Sequence, residues 1–211
     1  MENDILWDSY FYPDSDVLIN KLDIRDYDKL KEAEATISYK KLLYLSDHLI
    51  DGDFDIEHLK KIHKFIFEDI YPFAGIYRKV NLQKKIGSFL FIKSEDDLDN
   101  YINEIFNDVR DDLNNCFSRF DFCCILANLY TKLIYAHPFR EGNGRSIREF
   151  IREFSIVKSH EINIGNYELD WSLIDKDELD SNLVLAHIYP SSTAIIFDKA
   201  LVLKDNKNIR M

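Results

Sequence analysis

Turn-forming residues are scarce in this chain, with six glycines and four prolines in 211 positions. All-β folds use such residues at every hairpin and corner, so the scarcity argues against a sandwich or barrel and favours helices. Cysteine is scarcer still, at Cys116, Cys123 and Cys124. An odd count with two adjacent positions builds no disulfide framework, and no spaced second pair exists to complete a zinc site. The thiols read as buried side chains in a reducing compartment. Positive charge is in deficit, 27 Lys and Arg against 38 Asp and Glu, for a net charge of −11. Broad nucleic-acid binding and attraction to anionic membranes both need a cationic surface, and neither is expected here. A nucleotide can bind only where local cations and backbone amides overturn that field. Long hydrophobic runs are missing too. The most apolar window, 122–135, is interrupted by Asn128 and Lys132 and is too short and polar to span a bilayer. The start, MENDILWDSYFYPD, has neither the basic stretch nor the apolar core of a Sec signal peptide. The expectation is a cytoplasmic protein, or an effector exported by a route without such a signal.

What is present is an ordinary globular mixture, 46% hydrophobic and 31% charged. A chain this long buries roughly 70% of its unfolded surface and needs no staples. Pro13 breaks an aromatic first stretch whose Trp7 to Tyr12 read as core cover. Helical spacing then runs over 27–45, and again from an Asp55 N-cap until Pro72. Residues 77–92 read as two short strands around the turn Lys84-Lys85-Ile86-Gly87-Ser88, a β-hairpin. Ser94 and three following acids open a helix to about 113. Residues 117–136 are apolar on most sides, as in a central core helix that must stop at Pro138. Further helices are expected over 143–158, 170–188 and 191–204. The fold class is all-α with one β-hairpin.

One stretch carries chemistry: His137-Pro138-Phe139-Arg140-Glu141-Gly142-Asn143-Gly144-Arg145-Ser146-Ile147-Arg148. A central helix ends at His137, and a glycine-containing loop leads into the next helix. Gly142 and Gly144 permit positive φ and close backbone approach, so successive amides can converge on an anion. The following helix adds the positive end of its dipole. Arg145 and Arg148, three apart, bring guanidinium groups suited to phosphate. Glu141 offers a hard oxygen to Mg²⁺, which commonly takes one or two carboxylates plus substrate phosphates. His137 can accept a proton near neutral pH. The pattern is not a Walker loop, which requires Gly, four residues, then Gly-Lys-Ser/Thr.

The same twelve residues resemble the signature of the Fic family, His-Pro-Phe-x-Glu-Gly-Asn-Gly-Arg-x-x-Arg, at every fixed position. Residues 70–78, Ile-Tyr-Pro-Phe-Ala-Gly-Ile-Tyr-Arg, resemble the segment before the Fic hairpin, and residues 16–22 resemble the family's opening segment. The resemblance covers about 10–160, within a single domain spanning 1–211 whose last fifty residues form a helical extension. It implies a mainly helical Fic fold and transfer of AMP from ATP to a Ser, Thr or Tyr hydroxyl of a target protein. By position, His137 is the general base, Glu141 holds Mg²⁺, and Phe139 anchors the loop by packing. Gly142, Asn143 and Gly144 form the anion hole, and Arg145 and Arg148 bind the outer phosphates. The hairpin becomes a flap that clamps the target, through Lys84, Lys85, Gly87, Ser88, Phe89, Leu90 and Phe91.

Relatives that phosphorylate their target carry Lys where this chain has Gly144 and lack the final Arg, so the resemblance favours adenylylation. Transfer of another nucleotide or of a phosphate, or a silent protein-binding module, are the alternatives. The family's inhibitory pattern, Ser/Thr-x-x-x-Glu-Gly/Asn, does not occur in this sequence. The resemblance therefore implies a toxin-like enzyme that is unrestrained, or one restrained by a separate antitoxin-like protein supplying a Glu to Arg148. His48, His58, His63, His160 and His187 lack paired ligand spacing and read as structural or surface residues.

Overall fold

The computed structural model describes residues 6–82, 96–186 and 191–204. Helix α1, Tyr27–Leu45, begins where the Asp26 carboxylate accepts the Lys29 amide at 2.9 Å. Helix α2, Ile56–Phe67, is capped in the same way by Asp55, which accepts the His58 amide at 3.0 Å. Both caps satisfy amides that a helix start leaves without partners. Helix α3 is Asp96–Asn114, and α4, Arg119–Ala136, starts at Ser118, whose hydroxyl accepts the Asp121 amide. Helix α5 is Asn143–Glu161.

Beyond α5 the structure departs from the expected pair of long helices. Strand β1, Tyr167–Leu169, is followed by a 3₁₀ turn at Trp171–Leu173 and helix α6, Lys176–Ala186. Helix α7, Ser191–Ala200, stops short of its expected range, and Leu201–Leu203 becomes strand β2. β2 pairs antiparallel with β1, with Glu168 opposite Val202. The other edge of β1 is satisfied by α5, because the Tyr167 and Leu169 amides both donate to serine hydroxyls, Ser159 and Ser155, at 2.9 Å. Strands of three residues carry too short a pattern to distinguish from a helix end.

The expected hairpin is corrected in its first half. Tyr77 makes a single β-bridge, and its partner is Phe139 in the motif loop, while 79–80 form a bend. The remainder of the hairpin, 83–92, lies outside the described residues, as does the Ser94 cap.

Helix α4 is the axis of the molecule. Phe122, Cys123, Leu126, Ala127, Leu129, Leu133 and Ala136 are all fully buried, and α4 packs against α3, α5 and α7. Each large apolar side chain removed from water in this way contributes about 1.5–3 kcal/mol. Burial also pushes the Cys123 thiol up to about 12, which leaves it an inert packing residue. Helix α5 lies between α2 and α4, and its inner face is unusually polar. There Arg152 donates to Glu149 at 2.6 Å, to Glu168 at 2.7 Å and to the Leu45 carbonyl at 2.8 Å. Glu153 accepts the Ile50 amide and faces His58 at 3.4 Å. These contacts tie α1, α2 and β1 to α5 and fix the height at which α5 begins.

Candidate active site

The junction between α4 and α5 is held by contacts from five other parts of the chain. α4 cannot continue through Pro138, and His137 leaves it as the C-cap at φ 46°, ψ 61°, in the left-handed region. Residues before proline usually turn to extended backbone. Here the left-handed turn costs a non-glycine residue about 1–2 kcal/mol. The His137 amide still donates to Leu133 at 3.0 Å. Its carbonyl accepts Nε of Arg78 at 2.9 Å, and the Arg78 amide donates to the Pro138 carbonyl at 2.9 Å.

The loop then closes on itself through one side chain. Asn143 accepts the Phe139 amide at 2.8 Å and donates to the Phe139 carbonyl at 2.7 Å. Phe139 is fully buried and stacks on His63 with ring centroids 3.8 Å apart. The packing role expected of it is what the structure contains. His63 takes the Gly75 amide on Nδ1 at 2.8 Å, so its proton resides on Nε2, which donates to the Glu141 carbonyl at 2.9 Å. Burial holds this imidazole down at about 4, and the nearby Arg145 charge adds to the shift against the Glu141 hydrogen bond.

Gly142 is the N-cap of α5 at φ 81°. A Cβ there would stand 2.3 Å from Cε2 of Phe67, so the position requires glycine on two counts. α1, α2 and α4 each begin under an Asp or Ser side chain, whereas no side chain caps α5 and no acid lies in its first turn. The first-turn amides of α5 are therefore turned toward the loop side with the helix dipole behind them. The Gly142 amide is taken by Oε1 of Glu141 at 2.9 Å.

The two arginines of the motif diverge. Arg145 pairs with Glu34 of α1, donates to the Ser38 hydroxyl at 2.9 Å and covers the Phe67 ring at 4.7 Å. Tyr71 donates to the second oxygen of Glu34. Arg148 turns the other way and is half-buried. Its carbonyl accepts the Trp171 indole at 2.9 Å, and its guanidinium meets the buried hydroxyl of Tyr130. Burial pushes Tyr130 up to about 12, so it is a neutral partner at physiological pH. An Nη1 atom of Arg148 lies 3.3 Å from where a Cβ on residue 144 would stand, which is why Gly144 lets that guanidinium fold back over the helix start.

Arg140, the variable position of the motif, inserts among the aromatic first residues. Its guanidinium lies 4.4 Å from the Trp7 ring, 5.1 Å from Phe11 and 5.6 Å from Tyr10. The Tyr10 hydroxyl in turn accepts the Lys79 amide at 3.3 Å. The aromatic start is thus core cover, and what it covers is the motif loop.

His137, Glu141, Gly142, Asn143, Gly144, Arg145 and Arg148 all fall on one helix–loop–helix junction. The Asn143 side-chain amide, expected in the anion hole, is taken up in shaping the loop. Lys84, Lys85, Gly87, Ser88, Phe89, Leu90 and Phe91 lie outside the described residues. The supporting groups Glu34, His63 and Phe67 lie outside the motifs, Arg78 lies in the 70–78 segment with no role expected of it, and only burial and partners reveal what they do. Among the described residues no cluster of three or more His, Cys, Asp or Glu could hold a metal, and no helix is long and apolar enough to cross a membrane.

Comparison with known proteins gives this junction its class. Residues 53–155 match the model of the Fic/DOC family. That stretch, with the whole His137–Arg148 junction inside it, is similar to the family. It is 31% identical over 173 residues to the protein adenylyltransferase VbhT of Bartonella schoenbuchensis, covering 82% of this chain and 34% of the relative. It is 29% identical over 177 residues to the probable protein adenylyltransferase Fic of Escherichia coli, covering 81% of this chain and 80% of the relative. The chain thus spans about a third of VbhT and four-fifths of the Escherichia coli protein. Its fold matches the N-terminal Fic domain of a VirB-translocated Bep effector protein from Bartonella quintana, solved with bound ADP. That match has a TM-score of 0.78 at 24% identity and covers 93% of this chain and 96% of the other.

Proposed function

We propose that this chain is a protein adenylyltransferase, moving AMP from ATP to a Ser, Thr or Tyr hydroxyl of a target protein. The uncapped, glycine-started N-terminus of α5 is the observation that carries the reading. It offers amides and dipole to an anion, with Arg148 folded back over its start and His137 capping the helix that leads into the loop. Relatives named as adenylyltransferases support the same activity.

In this reading the target oxygen attacks the α-phosphorus, a P–O bond forms, the bond to the β-phosphate oxygen breaks, and pyrophosphate leaves. His137 takes the hydroxyl proton. Charge grows on the phosphate and leaving oxygens, where fixed amides and a guanidinium act without reorganising. Arg148 is the cation for the outer phosphates. Arg145 is turned toward α1 as an ion pair with Glu34, so it contributes less net charge and more rigidity.

Glu141 would hold Mg²⁺, which supplies charge neutralisation on the phosphates when bound. Its side chain is 43% exposed, and a single carboxylate suits a metal that draws its other ligands from phosphate and water. Gly142, Asn143 and Gly144 shape the anion hole through backbone and loop closure. Lys84, Lys85 and residues 87–91 clamp the target. A separate acidic protein supplying a Glu to Arg148 would restrain the enzyme. The chain acts in a cytoplasm, its own or that of a cell into which it is delivered.

The test uses a lysate, Mg²⁺ and ATP labelled at the α- or the γ-phosphate. Transfer of α-label alone is expected. Label from the γ-phosphate alone would mean phosphorylation, and no transfer of either would leave a protein-binding module. His137→Ala should keep ATP affinity and lose about 10²–10⁴-fold in transfer. Undiminished transfer by that variant removes His137 from the chemistry.

A further inference from the structure

We propose that Arg78 is a positioning residue for His137: a buried cation that sets where the base stands by gripping the end of its helix. The inference rests on the adenylyltransferase reading for its kinetic test and on geometry alone for its structural one.

Arg78 is 2% exposed, a rare state for a guanidinium. Its donors fan out over three backbone carbonyls: Nε to His137 at 2.9 Å, Nη1 to Val80 at 2.6 Å and Nη2 to Ala136 at 3.3 Å. Two of these belong to the last residue of α4 and its cap, which are carbonyls a helix end leaves without partners. α4 has no basic residue in its last turn, so the negative end of its dipole is met by a cation from another segment. Burial draws the Arg78 guanidinium down to about 10, which still leaves it charged at neutral pH.

The clamp has a second jaw. The Arg78 amide bonds the Pro138 carbonyl, and its neighbour Tyr77 bridges Phe139, so residues 77 and 78 run alongside 138 and 139 as a short ribbon. The backbone of His137 is in the left-handed region, where little but outside contact keeps a histidine. Arg78 supplies that contact directly on the His137 carbonyl. Through Val80 the same guanidinium holds the chain that leads into 83–92, the segment expected to clamp the target.

The experiment compares Arg78→Gln with Arg78→Lys. Gln removes the charge and most donors, while Lys keeps a charged donor that reaches only part of the carbonyl set. Three quantities are measured: ATP·Mg²⁺ affinity by calorimetry, kcat and KM for AMP transfer, and the imidazole resonances of His137, identified by their loss in His137→Asn. Arg78→Gln is expected to bind ATP as the parent does, to lose about 10²-fold in kcat, the scale of a misplaced reacting group, and to show displaced His137 resonances. Arg78→Lys should recover part of the rate and return the resonances toward their original positions. The inference is overturned if Arg78→Gln keeps kcat within about twofold with His137 unmoved, or if ATP affinity and kcat fall together. If the Gln variant does not fold, Arg78→Lys decides alone: full kcat with unmoved resonances overturns the inference, and a reduced kcat with displaced resonances at unchanged ATP affinity supports it. An unmutated chain that transfers no AMP would sink the adenylyltransferase reading, and the His137 resonances would still judge Arg78.

Discussion

Replacing Gly142 by Ala tests how tightly the α5 start is built. Two costs add. The residue sits at φ 81°, where a side chain costs about 1–2 kcal/mol. The new Cβ would also stand 2.3 Å from Cε2 and 2.4 Å from Cζ of Phe67. That ring cannot swing aside. It is fully buried, lies 4.9 Å from the His63 ring and carries the Arg145 guanidinium 4.7 Å above it. Overpacking of this kind costs about 1–3 kcal/mol. The sum, about 2–5 kcal/mol, is a large part of the roughly 5–15 kcal/mol that holds a domain together. Urea unfolding of Gly142→Ala, Phe67→Ala and the double variant separates the two costs. Phe67→Ala alone loses about 3–5 kcal/mol, the usual penalty for deleting a buried ring. In the double variant the clash is gone but the strained φ remains, so its loss should fall short of the sum of the singles by about 1–3 kcal/mol. Strict additivity would refute the steric half of this reasoning. A Gly142→Ala chain as stable as the parent would refute both halves.

Two further outcomes follow from the loop's supports. His63 is held neutral in the folded chain, at about 4 against 6.5 for an ordinary imidazole, so the unfolded chain binds more protons between those values. Its contribution to stability is complete above pH 6.5, is lost as pH falls toward 4, and amounts to about 3 kcal/mol at most; urea unfolding of His63→Gln should lack this part of the acid slope. Asn143→Ala strands the buried amide and carbonyl of Phe139 and should cost about 2–4 kcal/mol by the same measurement, with loss of loop closure rather than loss of a phosphate ligand as the cause.

The parts of this protein that were legible in its sequence are those written in neighbouring residues. Asp55 announces the start of α2 because a cap and its amide are three positions apart, and helical spacing marks α1 and α4. The motif was legible because His137 to Arg148 is contiguous, and the proline and glycines state where helix gives way to loop. What supports that motif was not legible. Arg78 reaches His137 across 59 positions, His63 reaches Glu141 across 78, and Glu34 reaches Arg145 across 111. Contacts at such separation leave no local period. Asn143 shows the boundary between the two: its identity belongs to the motif, yet only coordinates assign its amide to Phe139 instead of to a ligand. β1 and β2 escaped for a different reason, being too brief for alternation to register.

The chain contains two tryptophans, and they bracket the motif: Trp7 lies against Arg140 at one end, and Trp171 donates to the carbonyl of Arg148 at the other. Intrinsic fluorescence is thereby tied to this one junction, with no dye and no other indole to dilute the signal. Phenylalanine placed at either position leaves a single emitter, so the two ends of the loop can be followed separately as nucleotide is titrated in.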